Sequence, residues 1–113
     1  MTETRNEKGQ LHSYNDKPAI IYRNGEKEWY KEWYKNGQRH RGGDKYAAIW
    51  SDGSMLWYKN GLLHHGGNKP AAIWVEGPMQ WYKNGLLHRG GNMPAIIRAD
   101  GTKEWYKNGR RIR

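Results

Sequence analysis

Four histidines recur at nearly regular intervals, and they are the first side chains in the sequence that could do chemistry, as metal ligands. His12, His40, His64 and His88 each follow a glycine by three residues. Ligands of one zinc ion must converge to about 2.0–2.1 Å from it, whereas equivalent positions in successive β-hairpins lie two strands, or about 10 Å, apart. We therefore predict no metal site and interpret these histidines as repeat residues packed on tryptophan. A role in surface contact stays open.

The sequence offers few groups for catalysis. It contains no cysteine, and Ser51 and Ser54 lie at an expected turn, where polar residues are common. The turn acids Asp52, Glu76 and Asp100 come one repeat apart, so they cannot form a close carboxylate pair. No glycine-rich loop leads into a helix that could bind phosphate. We predict a protein without enzymatic activity and without a cofactor.

The elements that position these residues come from an internal repeat, since one five-residue motif returns at a fixed step. WYKNG occurs at 33–37, 57–61, 81–85 and 105–109. Such repetition is the sequence signature of repeat architectures. We predict a single repeat domain over residues 1–113, with units 9–36, 37–60, 61–84 and 85–108 and a C-terminal stub, 109–113.

Each unit contains two turn dipeptides, Asn-Gly and Asp-Gly or a related pair. These pairs accept the positive φ that type I′ hairpin turns require, and the segments between them are rich in aromatic and β-branched residues. The sequence predicts an all-β fold, a single elongated twisted antiparallel meander of about four tandem 24-residue β-hairpin repeats. A helix is an alternative for one segment, residues 26–36. Its tryptophans and tyrosines recur every four residues, a spacing that would also place them on one face of a helix.

We expect both kinds of turn to contain two residues, and this expectation sets the register. Trp57 then lies opposite Ala48, and Trp50 and Trp74 fall on the same face as Trp57. The other face carries the tyrosines of WYKNG with neighbouring leucines.

The pattern W-x-x-N-G-x-x-H, then Gly, a short apolar strand, D-G and the next aromatic strand, resembles the membrane occupation and recognition nexus (MORN) repeat. The resemblance covers residues 9 to 109 and is closest to the variant repeat of bacterial antitoxin-like proteins and of phage and giant-virus proteins. It implies a non-enzymatic scaffold or binding module, an adaptor or inhibitor of antitoxin or phage counter-defence type. Some members of the family bind phospholipid.

The formal charge of +9 and the pI of about 9.9 favour acidic partners. We predict that the partner is another protein with an acidic surface, and nucleic acid or anionic phospholipid is the alternative. A homodimer also stays open, because an open sheet exposes its edges. The lack of cysteine and of an apolar N-terminal segment predicts a cytoplasmic protein, in the host cytoplasm if it is viral.

We expect binding residues among exposed aromatic and basic side chains and where the repeat copies differ. Tryptophan, tyrosine and arginine supply most of the energy at protein interfaces. The candidate binding residues are Trp50, Trp74, Arg41, His65, Arg89, Arg98, Arg110, Arg111 and Arg113. We predict no catalytic and no metal-binding residue.

Overall fold

A computed structural model describes residues 1–25 and 27–113 of the chain. Within these ranges the regular elements are short β-strands, so none of the described segments is a helix that could cross a membrane. The strands are Thr2–Glu3 (β1), Ile20–Asn24 (β2), Lys27–Glu32 (β3), Tyr34–Lys35 (β4), Gln38–Arg39 (β5), Ala48–Trp50 (β6), Met55–Leu56 (β7), Tyr58–Lys59 (β8), Leu62–Leu63 (β9), Ala72–Ile73 (β10), Met79–Gln80 (β11), Tyr82–Lys83 (β12), Leu86–Leu87 (β13), Ile96–Ile97 (β14), Lys103–Glu104 (β15), Tyr106–Lys107 (β16) and Arg110–Arg111 (β17).

The strands of the described chain divide between one large sheet and a row of small hairpins. The large sheet has nine strands in the order β1-β2-β3-β6-β7-β10-β11-β14-β15. The small hairpins are β4–β5, β8–β9, β12–β13 and β16–β17. Neighbouring strands pair antiparallel throughout, which confirms the predicted meander of β-hairpin repeats.

The small hairpins turn at Asn-Gly pairs in the way that the sequence predicts. Lys59 pairs with Leu62, which leaves Asn60 and Gly61 as a two-residue turn. Their φ angles are 51° and 84°. Both lie in the left-handed region that a type I′ turn requires and that asparagine and glycine tolerate better than other residues.

The Asp-Gly turns are one residue longer than expected. The N–H of Trp50 donates to the carbonyl oxygen of Ser54 at 3.0 Å, so three residues form the loop, and the last of them, Gly53, has a φ of 96°. This is the three-residue hairpin loop, in which a glycine in the left-handed region follows a turn. Ala48 therefore pairs with Leu56 and not, as predicted, with the tryptophan that follows it.

The longer loop moves Trp50 and Trp74 to the opposite face from the one predicted, because a shift of one residue reverses every side chain of a strand. Both pack around Leu56 together with Tyr58. We call this the tyrosine face. The opposite face carries Trp57, its equivalents and the recurring histidines, and we call it the histidine face. The predicted grouping of Trp50 and Trp74 with Trp57 is wrong.

Each long strand is interrupted at the tryptophan of WYKNG. The N–H of Trp81 donates to the carbonyl of Ala95 at 2.8 Å, and its own carbonyl accepts from the N–H of His88 at 3.0 Å. The tryptophan thus bonds forward to the large sheet through its N–H and to its hairpin through its carbonyl. Trp33 and Trp57 make the same pair of bonds, so the first three small hairpins leave the sheet in this way. In the last hairpin the N–H of Trp105 donates to the carbonyl of Arg113 instead.

The duplicated KEWY lengthens the first hairpin of the large sheet. β2 and β3 are the longest strands of the described chain, and their register shifts between Tyr22 and Arg23. The helical alternative for residues 26–36 is wrong, since Lys27–Glu32 is a strand. Glu26, the first residue of that segment, lies outside the described residues.

The core is thin and consists largely of small residues. Ala47 and Ala71 have no exposed surface, and no large side chain of the described chain is completely buried. Aromatic rings therefore pack along the two faces of the sheet rather than beneath a covering layer, as expected of a sheet stabilised by cross-strand side-chain pairs.

Candidate functional site

The recurring histidines join successive Asn-Gly hairpins. Nδ1 of His64 accepts a hydrogen bond of 3.1 Å from the N–H of Asn84 in the next hairpin turn. The equivalent bonds join His12 to Asn36, His40 to Asn60 and His88 to Asn108. A nitrogen that accepts a hydrogen bond carries no proton, so the neutral ring has its proton on Nε2. The histidines are repeat residues, as predicted, although it is His65 that stacks on a tryptophan.

The surroundings of His40 and His64 favour the neutral ring. Burial lowers the pKa of His64, and the positive charges of Lys59, His65 and Lys83 lower it further. Burial and two lysines lower the pKa of His40 in the same way. The acceptor role requires a neutral ring, because both nitrogens of a protonated imidazole are donors.

Each tryptophan of WYKNG contacts the loops that connect the small hairpins to the large sheet. The indole Nε1–H of Trp81 donates to the carbonyl of Asn68 at 3.1 Å. The guanidinium carbon of Arg89 lies 3.9 Å from the centre of the Trp81 ring, close enough for a cation–π contact. The equivalent stacks are Arg41 on Trp33, His65 on Trp57 and Arg113 on Trp105.

Each of these loops also forms side-chain hydrogen bonds with the equivalent loop of the preceding unit. Nε and Nη2 of Arg41 donate to the carboxylate of Asp16 at 2.9 and 3.1 Å, and Lys45 donates to it at 2.7 Å. Hydrogen bonds from Arg41 and Lys45 keep the pKa of Asp16 well below its usual range. The equivalent contacts are His65 to Asp44, Arg89 to Asn68 and Arg113 to Asn92.

Four of the nine predicted binding residues therefore occupy one equivalent position and serve the fold. These are Arg41, His65, Arg89 and Arg113. The side chains of Arg41 and His65 are only 13% and 7% exposed, which leaves little of either for a partner. Arginine and histidine can both occupy this position because either planar group can stack on an indole and donate to the preceding loop.

Trp50 and Trp74 lie in a strip of aromatic rings across the tyrosine face. The strip runs Tyr22, Tyr30, Trp50, Trp74, with successive ring centroids 5.6, 4.6 and 5.2 Å apart. These separations fall in the range of favourable aromatic contacts. All four side chains remain partly exposed. The structure thus brings these two candidates together and adds two tyrosines that the sequence did not single out.

Arg98 ends this aromatic strip, because it occupies the place that Trp74 has one unit earlier. Its guanidinium donates to the carboxylate of Glu104 at 3.0–3.2 Å. Gln80 stands where Glu104 does, and its side-chain oxygen accepts from the indole N–H of Trp74 at 3.1 Å. The same position thus takes an aromatic ring with an amide partner or an arginine with a carboxylate partner.

The last two candidates, Arg110 and Arg111, lie in β17 and are exposed. Nε of Arg111 donates to the carbonyl of Arg113 at 3.1 Å, and Arg110 pairs across the hairpin with Lys107. The structure does not bring them to the aromatic strip.

A buried carboxylate on the tyrosine face escaped sequence reasoning. Glu32 is 5% exposed and accepts hydrogen bonds of 2.7 Å from the Tyr34 hydroxyl and from Nε of Arg39. Burial alone would raise the pKa of Glu32, but the bonds from Tyr30, Tyr34 and Arg39 outweigh it and lower the pKa. Burial and this carboxylate raise the pKa of Tyr34 to about 12. No signal singled out Glu32, because Leu56 takes its place one unit later.

Three concave notches lie between successive hairpins on the histidine face. Each is bounded by two recurring histidines, a tryptophan and a lysine of WYKNG and the backbone of Gly-Gly loops. The first notch lies between His12 and His40, the second between His40 and His64, and the third between His64 and His88. The sequence did not predict the notches, because only the stacking of units creates them.

Within residues 1–25 and 27–113, no three histidine, aspartate or glutamate side chains come together as metal ligands would. The chain matches no protein-family model, no curated protein and no solved structure.

Proposed function

We propose that the protein is a non-catalytic β-repeat binding protein, an adaptor or inhibitor that engages another protein through the aromatic strip of the tyrosine face. The observation that supports this most is the pair Trp50 and Trp74, whose rings contact each other at 5.2 Å and stay partly exposed. Tryptophan and tyrosine anchor protein interfaces. Rings that already pack on one another lose little conformational freedom when a partner binds.

The distribution of side chains over the two faces favours a protein over a nucleic acid. Binding of single strands combines base stacking with phosphate neutralisation in one groove. Tyr58 and Lys59 are consecutive in β8, so the lysines of WYKNG point away from the tyrosine face. On the histidine face the tryptophan rings already carry stacked arginine or histidine groups. The alternative, nucleic acid or anionic phospholipid bound through the basic surface, therefore has less support.

The charge of the chain favours a partner with an acidic surface. The sequence holds 20 lysines and arginines against 11 aspartates and glutamates. Charge complementarity speeds encounter and selects partners, whereas buried aromatic anchors supply most of the affinity. We therefore assign the affinity to the aromatic strip and the selection of an acidic partner to the surrounding charge.

The experiment is affinity capture from an extract of the native host at two salt concentrations, with nuclease treatment. The matched variant combines Trp74→Arg with Gln80→Glu, which copies the Arg98–Glu104 pair of the next unit and so keeps a combination that the fold accepts. We expect the wild type to retain a protein partner at both salt concentrations. The variant should lose about tenfold or more in affinity for that partner, as for an interface anchor.

Lys35→Gln, an exposed change on the other face, is the control and should bind the partner as the wild type does. Recovery of only nuclease-sensitive, salt-labile material would overturn the proposal, since affinity for nucleic acid falls by about 0.7–0.9 log unit per log unit of salt for each phosphate contacted. Unchanged capture by the Trp74→Arg/Gln80→Glu variant would remove the aromatic strip from the interface.

A further inference from the structure

The third notch, between His64 and His88, is large enough to receive part of a ligand. Its volume is about 440 Å³, and Lys83, Trp81 and the Gly66–Gly67 backbone help to bound it. Ligand-binding cavities commonly have volumes of about 300–1,000 Å³. The chemistry of its walls determines what kind of group it takes.

Three side chains of the third notch, His64, His88 and Lys83, offer hydrogen-bond donors to a ligand. His64 and His88 use Nδ1 to bind turn asparagines, so their neutral rings retain Nε2–H as the remaining polar group. No carboxylate of the described residues lies within ion-pair distance of Lys83. In the described chain, the N–H groups of Gly66 and Gly67 donate to no acceptor either. Such a set of donors favours an anion.

The first two notches contain a carboxylate where the third has an amide. Asp16 lines the first notch and Asp44 the second, whereas Asn68 lines the third. In the first two notches the carboxylate already pairs with cations, since Asp16 accepts from Arg41 and Lys45 and Asp44 accepts from Lys69. In the third notch no carboxylate occupies this position, so a carboxylate from outside could take its place. Asn68 still accepts from Nε of Arg89 at 2.9 Å. The change from aspartate to asparagine therefore removes the carboxylate of the notch and keeps the contact between loops.

The charge of the chain shows the same asymmetry. Residues 61–113 hold nine of the 20 lysines and arginines but only three of the 11 aspartates and glutamates. A concave surface lined by one sign of charge concentrates the opposite charge near it. The third notch lies in this more basic half.

We propose that the third notch binds carboxylates, and that it takes an aspartate or glutamate side chain from an acidic segment of the protein partner. This inference rests on the proposed function, which makes the partner a protein. A nucleic acid fits less well, because the Trp81 ring already carries Arg89 at 3.9 Å and is not free to stack on a base. Lys83 and the two histidines supply the charge and the hydrogen bonds.

A short fluorescein-labelled polyglutamate peptide, followed by fluorescence anisotropy, probes the notch directly. We expect Lys83→Gln to weaken binding by about two- to fivefold, the range for one exposed charge pair. Asn68→Asp should weaken it by a similar factor, because it restores the carboxylate of the first two notches. Asp44→Asn should strengthen binding by about twofold, because it removes a carboxylate from the second notch.

Lys35→Gln is the matched control, because it removes the same charge from the first notch, where Asp16 is present. It should change the affinity less than Lys83→Gln does. Absence of peptide binding to the wild type, or equal losses for the two lysine variants, would overturn the inference. A thymidine oligonucleotide of equal charge that binds more tightly, and that responds to Lys83→Gln, would assign the notch to nucleic acid instead.

The two proposals fail independently of each other. The Trp74→Arg/Gln80→Glu variant leaves the histidine face unchanged and should bind the peptide as the wild type does. A partner captured through the aromatic strip, without peptide binding at the notch, would leave the proposed function standing and remove this inference. Circular dichroism of each variant shows whether its fold is intact.

Discussion

Nδ1 of His64 accepts a hydrogen bond from the N–H of Asn84 at 3.1 Å, and this bond requires a neutral imidazole. Burial lowers the pKa of His64 and of His40. A group whose pKa is lower in the folded state stabilises the fold above its ordinary pKa and loses this contribution as the pH falls. We predict that the Tm falls as the pH drops below about 6.5, the ordinary histidine value. Thermal unfolding followed by circular dichroism across this range measures the effect.

A substitution of His64 distinguishes the effect of its titration on Tm from that of other titrating groups. His64→Asn keeps an acceptor oxygen near the place of Nδ1 but does not titrate, so its Tm should depend less on pH than that of the wild type. Carboxylates with lowered pKa, such as Glu32, lose their contribution only below about 4.5, at more acidic pH. A wild-type Tm that stays constant as the pH falls from neutral to about 4.5 would contradict the role of the histidine bond.

Because Arg89 stacks on Trp81, we predict that substituting Arg89 lowers the stability of the fold and does not directly weaken binding of a partner. Arg89→Lys removes the planar group that lies 3.9 Å from the ring centre and the bond from Nη1 to the carbonyl of Pro94. We expect the free energy of unfolding in urea to fall by about 1 kcal/mol. The control Arg110→Lys changes an exposed arginine and should leave stability unchanged. Weaker partner binding by Arg89→Lys at unchanged stability would restore Arg89 to the binding surface.

The buried carboxylate of Glu32 is expected to stabilise the first hairpin through its charge. Glu32→Gln keeps the shape of the side chain but weakens its bonds with Tyr34 and Arg39. We predict a loss of about 1–3 kcal/mol in the free energy of unfolding, as for hydrogen bonds to a charged group. Arg39→Gln, combined with Glu32→Gln in a double-mutant cycle, measures the coupling. Strict additivity of the two changes would show that the ion pair contributes nothing.

The glycine of the Asn-Gly turn is required by its backbone conformation rather than by lack of space. Gly61 has a φ of 84°, yet a Cβ there would meet Gln38 at an ordinary distance of 3.5 Å. Gly61→Ala should therefore cost about 1–2 kcal/mol of unfolding free energy through backbone strain alone. Gly66→Ala is the control, because its φ lies outside the left-handed region and nothing lies within 4 Å. It should be neutral or stabilise by up to about 1 kcal/mol.

Much of the fold could be predicted because its causes are local. The Asn60–Gly61 pair specifies its own turn type, and repetition of that pair repeats the hairpin. The face of Trp50 could not be predicted in the same way, because it depends on whether the loop that ends at Gly53 holds two residues or three. One residue in a loop decides which side of the sheet a tryptophan occupies.

The candidate site was harder to predict, because the role of a side chain depended on contacts between units. The sequence marks His65 as the copy that differs from Arg41 and Arg89, and that difference suggested a binding role. In the structure all three side chains stack on a tryptophan and form a hydrogen bond with the preceding loop. The change from Asp44 to Asn68 one unit later was not singled out from the sequence, because the notches that these residues line form only when the units stack.

Each Asn-Gly turn meets the same kinds of acceptor in the hairpin before it, a histidine nitrogen and a backbone carbonyl. Gly61 donates to the carbonyl of Arg39 at 2.8 Å, and Gly85 donates to that of Leu63 at 2.7 Å. If residues 61–84 were removed, the N–H of Gly85 would donate to the carbonyl of Arg39, as that of Gly61 does now. The N–H of the turn would therefore keep a hydrogen-bond acceptor. Recombination between WYKNG copies can therefore shorten or extend the array by whole units. Evolution can thus change the length of both sheet faces while every contact between neighbouring units stays the same.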